Sequence, residues 1–283
     1  MIDQNLTRLE GVISGSDKKP ITYDMKWNRD KAVESLVLFV HGFKGFKDWG
    51  IWNRVGDFFA NSGVLFLKIN LSHNGTTPSA PGDFGDLTAF GNNNFTLEVE
   101  DIHRTLEAIA TRTIAVPSDN FDLDITIIGH SRGGASAIVA AAENKAIDKV
   151  VTWAAIHDIE SHYGEYDDQW EKDGVKYIAN SRTNQQMPLY YQLYEDIANN
   201  KDRFDLRKAL INMDKPLLIC HGDADPTVDY SAAEKLKSYH GNADVFIVEG
   251  GNHVFGGTHP YDGHDLPDHM LQVARKTMAF IKT

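Results

Sequence analysis

Cysteine is nearly absent. The single Cys220 lies inside the strand-like stretch PLLICHG, so no internal disulfide can form and the thiol reads as a small buried hydrophobe. Positive charge is also scarce: 28 Lys and Arg against 40 Asp and Glu leave a net charge of -12. That balance offers no basic field to phosphate backbones or an anionic membrane surface, so neither nucleic acid nor membrane is an expected partner. No apolar run approaches the roughly 20 residues that span a bilayer. The opening MIDQNLTRLEG lacks the basic flank and apolar centre of a leader, and the expected location is cytoplasmic. Internal repeats, low-complexity tracts and Pro/Gly linkers are missing too, which leaves one domain over residues 1–283 as the expectation. The cluster His259, Asp262, His264, Asp265 and His269 has metal-ligand residue types but no ordered spacing, and Pro260, Gly263 and Pro267 mark it as solvated loop. Neither a metal nor a cofactor is expected, and self-association into a homo-oligomer is left open.

What is present is ample core material, 42% hydrophobic and 10% aromatic. Eight apolar, largely β-branched runs read as strands: EGVIS, PITYDMKW, SLVLFVHG, VLFLKIN, ITIIGHS, VVTWAA, PLLICHG and DVFIVEG. The first two are close enough for a hairpin. The others alternate with helical patterns such as Val99, Ile102, Leu106, Ile109 and Leu271, Ala274, Met278, Ile281, which predicts a largely parallel α/β sheet with helices on both faces. Two stretches break the alternation. SHNGTTPSAPGDFGDLTAFGNNNF is too rich in Gly, Asn and Pro to be regular, and long loops of this kind are often functional. Residues 157–212 form an insertion holding six of the ten tyrosines, together with Trp170 and Phe204. It reads either as a small helical cap over the site or as an extra packing layer. If it is a cap, Trp170, Tyr190 and Tyr194 are candidate substrate contacts.

In such a sheet, reactive groups gather in loops at the carboxyl ends of strands. ITIIGHSRGGASAI places Ser131 at a strand-to-helix turn between Gly129 and Gly133, the G-x-S-x-G pattern that holds a nucleophile open at the tip of a sharp turn. A serine hydroxyl needs an imidazole to take its proton, and the imidazole needs a carboxylate to fix its tautomer. LLICHGDADPTV supplies Asp223 and Asp225, and FIVEGGNHVF supplies His253, each after a later strand. VLFVHGFKG presents the amide of Phe43 after the third strand. That amide and the amide of Arg132 are candidate donors to a developing oxyanion. His41, His130 and His221 read as satisfied core histidines. The Arg132 side chain is expected to point under the helix.

With HGF, GHSRGG, HGDADPTV and GGNHVFG in that order, the chain from about residue 20 onward resembles the α/β-hydrolase superfamily. More narrowly it resembles bacterial esterases grouped with dienelactone hydrolases and cinnamoyl or feruloyl esterases, through NSRTNQQMP and the HP pair of GGTHPYDG. The resemblance implies the α/β-hydrolase fold, within which the insertion at 157–212 would be the small helical cap, and a triad of Ser131, Asp225 and His253. The acid falls on Asp225 because HG-x-x-D-x-x-V, closed by Val228, excludes Asp223. Dienelactone hydrolases proper use a cysteine nucleophile, and here the only cysteine sits in a strand. The implied activity is that of a serine hydrolase cleaving small acyl or aryl carboxylic esters through an acyl-enzyme, with a small-molecule ester as partner. Thioester hydrolysis, peptide cleavage and acyl transfer share the same machinery, and a non-catalytic binder could share the same fold.

Overall fold

A computed structural model describes residues 5–118, 123–180 and 182–283. The chain opens with a hairpin, β1 (Leu6–Ser14) and β2 (Pro20–Asn28), followed by β3 (Ser35–Val40), α1 (Trp52–Asn61), β4 (Val64–Asn70), α2 (Leu87–Gly91), α3 (Phe95–Ala110), β5 (Asp124–His130), α4 (Arg132–Glu143) and β6 (Lys149–Trp153). An insertion then carries α5 (Ile159–Tyr163), α6 (Asp168–Asp173), β7 (Val175–Asn180), β8 (Gln185–Tyr190), α7 (Gln192–Asn199) and α8 (Leu206–Ile211). The chain closes with β9 (Leu217–Gly222), α9 (Ser231–Tyr239), β10 (Asp244–Val248) and α10 (Asp268–Ile281).

Eight strands form one sheet in the order β1-β2-β4-β3-β5-β6-β9-β10. β1 and β2 are antiparallel to their neighbours, and the other pairings are parallel. All eight correspond to the apolar runs; β3, β4, β5, β6 and β9 are apolar at nearly every position because both of their faces are buried, whereas the edge strands β1 and β10 are largely exposed. The two-residue period then divides those runs between two cores. Leu38, Leu67, Ile127 and Ile219 face α3, α4 and α9, where Val99, Ile102, Ile138 and Leu236 meet them. Phe39, Phe66, Ile128 and Cys220 face α1 and α10, meeting Val55, Phe59, Val273 and Met278. Among the described residues no helix is long and apolar enough to cross a membrane.

The Gly/Asn/Pro-rich stretch after β4 is irregular apart from α2, a single short helix capped by Asp86, whose side chain accepts from the Ala89 amide. The insertion carries four short helices. Its acid-rich sequence makes short helices because Asp158, Asp167 and Asp205 each sit at an N-cap and accept from amides of the first turn. It also contains a two-stranded hairpin, β7 with β8, which the helical reading does not foresee. Its apolar residues Ile159, Trp170, Met187, Leu193 and Leu210 join the core on the α3 and α4 side of the sheet. The insertion is thus a packing layer over most of its length, and only the turn of its hairpin reaches further.

Candidate active site

β5 ends at His130 and α4 begins at Arg132, so Ser131 makes the whole turn. It does so at φ 56°, ψ -123°, a conformation that L residues avoid and that costs about 1–3 kcal/mol. The neighbouring glycines permit the turn. A Cβ on Gly133 would lie 2.7 Å from the Val40 carbonyl and closer still to that of His41, while one on Gly129 would lie 2.5 Å from Gly134 Cα. The Ser131 amide donates to the Trp153 carbonyl at 2.9 Å and the Gly134 amide to the Ser131 carbonyl at 2.9 Å, which fixes the turn from both sides. The first amides of α4 therefore open beside the serine, at the positive end of the helix dipole.

The loops after β9 and β10 meet next to this turn. Asp225 Oδ1 accepts from the amides of Thr227 and Val228 at 2.8 and 3.0 Å, and Oδ2 accepts from His253 Nδ1 at 2.7 Å. With Nδ1 donating, the free lone pair of His253 is on Nε2. Burial alone would raise the pKa of Asp225, but bonds from His221, His253 and the Val228 amide outweigh it and hold the carboxyl below its ordinary range. Asp223 does a different job. Its Oδ1 accepts the Gly250 amide at 2.6 Å, tying the two loops together.

Each of the other strand-end histidines bonds to a backbone carbonyl: His41 Nδ1 to Gly42 at 2.9 Å, His130 Nε2 to His253 at 2.8 Å, and His221 Nε2 to Val228 at 2.9 Å. His130 also packs its ring on Trp52 and His253, with centroids 5.2 and 4.9 Å apart. Burial first, and then the charge of His253, push the pKa of His130 down to about 3, so at neutral pH it is an uncharged strut under the His253 loop. Burial pushes the Cys220 thiol up to about 12, which leaves no thiolate at neutral pH.

Ser131 and His253 open onto one cavity of about 270 Å³, which is also lined by Gly42, Phe43, Trp49, Asn180 and Arg182. The loop after β3 that carries Phe43 and Trp49 is held from below by buried ions. Lys68 Nζ donates to Asp48 Oδ1 at 2.9 Å and to Asn53 Oδ1 at 2.7 Å, and Lys47 bonds to Asp48 and lies 3.4 Å from Asp24. The Arg132 side chain is buried under its helix, with Nε donating to Glu98 at 2.8 Å and the guanidinium 4.1 Å from the Phe95 ring.

Three sequence candidates lie elsewhere. Trp170 is 2% exposed and donates Nε1 to the Leu189 carbonyl at 2.8 Å. Tyr190 covers Gly91, and Tyr194 stacks on Tyr191 with centroids 5.2 Å apart. None of the three lines the cavity beside Ser131, because each is taken up by packing within the insertion or against the loop below. The insertion reaches the cavity instead through Asn180 and Arg182 on the β7–β8 turn. Both belong to the NSRTNQQMP stretch, whose Ser181 lies outside the described residues. Their sequence signals were their polar character and their place in NSRTNQQMP, and neither distinguished a cavity wall from an exposed turn.

Residues 88–282 match the prolyl oligopeptidase family. The chain belongs to that family. Among solved structures, Est1E from Butyrivibrio proteoclasticus with ferulic acid bound superposes on this family member with a TM-score of 0.70 at 17% identity, over 97% of this chain and 98% of its own. An esterase domain from a Rhodothermus marinus protein reaches 0.65 at 17%, covering 97% of each chain. A dienelactone hydrolase from Anabaena variabilis reaches 0.65 at 16%, over 99% of this chain and 98% of that one. No curated protein matches the sequence significantly. At such identities the likeness is one of fold, and the fold of this prolyl oligopeptidase family member is that of the α/β-hydrolases.

Proposed function

We propose that this family member is a serine esterase that cleaves small acyl or aryl carboxylic esters through an acyl-enzyme on Ser131. The observation that carries the proposal is the strained Ser131 turn opening into the same cavity as His253, whose Nδ1 is held 2.7 Å from Asp225. His253 Nε2 takes the proton from Ser131 Oγ as Oγ attacks the ester carbonyl, and the amides of Phe43 and Arg132 receive the oxyanion. His253 then gives that proton to the departing alcohol, and a water molecule activated the same way releases the acid. The buried carboxylate of Asp225 keeps the imidazole in the required tautomer and stabilises its charged form.

Cavity size supports a compact acyl group, since 270 Å³ falls below the roughly 300–1,000 Å³ of sites for drug-sized ligands. The ferulic acid bound to the Butyrivibrio esterase supports an aryl acyl group as one class. The family's name favours one second reading, in which the same machinery cleaves a peptide bond.

A fluorophosphonate probe, site mapping by mass spectrometry and a 4-nitrophenyl ester series from acetate to palmitate test the proposal. Labelling is expected at Ser131, with kcat/KM falling beyond a few acyl carbons. Ser131→Ala is expected to lose about 10⁴- to 10⁶-fold in kcat with its fold intact. Near-normal turnover by folded Ser131→Ala would end the covalent mechanism, and cleavage of short peptides in preference to every ester would favour the second reading.

A further inference from the structure

The cavity beside Ser131 has a charge bias that ester cleavage by itself does not require. Lys44 and Arg182 line it, and no described Asp or Glu does, in a chain of net charge -12. Arg182 lies across two aromatic rings, its guanidinium carbon 5.0 Å from the Phe46 centroid and 5.4 Å from that of Phe84. Its Nη2 is buried with no hydrogen-bond partner. Asn180, two residues earlier on the same turn and 5% exposed, has a buried Nδ2 that is also unpartnered. The strands that lead into and out of the turn are tied down, with Lys44 Nζ donating to the Ala179 carbonyl at 3.3 Å and Gln185 Nε2 to the Phe84 carbonyl at 3.0 Å. Asp83 is the acid whose charge acts on Arg182.

Buried donors without acceptors are rare because desolvating them is costly, and here two of them share one turn at the wall of one cavity. Their missing partner is an acceptor. A planar guanidinium matches a carboxylate, to which an amide N–H can add a further bond. The reacting carbonyl oxygen is assigned to the Phe43 and Arg132 amides, so the partner of Asn180 and Arg182 is a second group on the substrate.

We propose that Asn180 and Arg182 form a subsite for a free carboxylate carried by the substrate, so that the preferred esters are small and anionic. The proposal rests on the esterase reading and narrows its substrate class. Lys44 adds field rather than a fixed contact, and the cavity allows only a few carbons between the carboxylate and the scissile carbonyl.

The test compares kcat/KM by pH-stat at low salt for monoethyl glutarate against ethyl valerate, and for butyryloxyacetate against ethyl butyrate. These pairs place the carboxylate on the acyl side and on the alcohol side. Wild type is expected to favour the anionic member of at least one pair by tenfold or more. Arg182→Gln should cut that preference about 10- to 100-fold, and Arg182→Lys should retain part of it. Binding is read separately from turnover, through the fluorescence of Trp49 and Trp52 titrated with glutarate and with glutaramide. Tighter binding of glutarate that is lost in Arg182→Gln upholds the subsite, even if no ester turns over and the esterase reading falls. Hydrolysis of both pairs without anionic preference, or a preference indifferent to Arg182→Gln, overturns the subsite and leaves the esterase reading standing.

Discussion

Replacing Asp225 by Asn tests the proposed reacting frame at the point where the structure separates two neighbouring carboxylates. Asp225 Oδ1 is occupied by the amides of Thr227 and Val228, so an asparagine would keep its carbonyl there and turn its NH₂ toward His253. Two donors would then face each other across the 2.7 Å that now separates Asp225 Oδ2 from His253 Nδ1. Relief comes when the imidazole moves its proton to Nε2, which removes the lone pair meant for Ser131. The loss of the correct tautomer is worth about 10⁴ in kcat, or about 5.4 kcal/mol of barrier. Asp223→Asn is the control. Its Oδ1 accepts only the Gly250 amide, which an asparagine carbonyl also satisfies, and a change within about threefold is expected. The assay is kcat on 4-nitrophenyl acetate, with thermal unfolding recorded for both variants to establish that they fold. A crippled Asp223→Asn beside a nearly normal Asp225→Asn would refute the reasoning.

Gly133→Ala should abolish activity or yield unfolded protein, since its Cβ would be forced against the carbonyls of Val40 and His41, and soluble expression with esterase assay reads the outcome. Stability should fall on the acid side. His130, held neutral down to about pH 3 when folded, takes up a proton near pH 6.5 when unfolded, so the unfolded state binds more protons and stability drops as pH falls below 6.5. Between pH 7.5 and 5.0 this group alone is worth about 2 kcal/mol. His41, lowered by burial, adds to the loss, and Asp225, with its depressed pKa, withdraws its share only below about pH 4. Urea midpoints for wild type and His130→Gln at the two pH values measure the difference, and an identical acid loss in both would rule out this origin. Trp170→Ala should cost about 3–5 kcal/mol of stability, as loss of a buried tryptophan does, with any rise in KM following from the displaced hairpin, which chemical denaturation beside KM will separate.

The sheet was legible because burial on both faces leaves no freedom in a strand such as SLVLFV, where every position from Leu36 to Val40 is fully buried. The place of Ser131 at the strand-to-helix turn was legible for a related reason. A sharp turn demands small residues at fixed offsets, and Gly129, Gly133 and Gly134 have no room for a side chain. The insertion was read less well. Its aromatic content announced burial but not the surface against which each ring would be buried, so Trp170, Tyr190 and Tyr194 read as pocket residues when Trp170 and Tyr194 pack within their own layer and Tyr190 packs against Gly91 of α2. The β7–β8 hairpin was hidden because VKYIAN and QQMPLY carry Lys, Asn, Gln and Pro188. A two-stranded ribbon tolerates these residues, since both of its strands are edges. Arg182 could not be distinguished from an ordinary charged turn residue until the positions of Phe46 and Phe84 were known.

The hairpin leaves and rejoins the sheet through a single excursion between β6 and β9, and the proposed nucleophile, acid and base all lie outside it. On the proposed reading, the reacting groups and the carboxylate subsite of Asn180 and Arg182 lie in separate lengths of chain, although Phe43 and Trp49 of the β3 loop share the cavity wall. Under that proposal, drift in Asn180 and Arg182 would redirect the protein from one class of ester to another while the strand-end loops stay unaltered. A transplanted hairpin of different polarity offers the same opportunity to an engineer, provided that Trp170 and Met187 keep their places in the layer beneath.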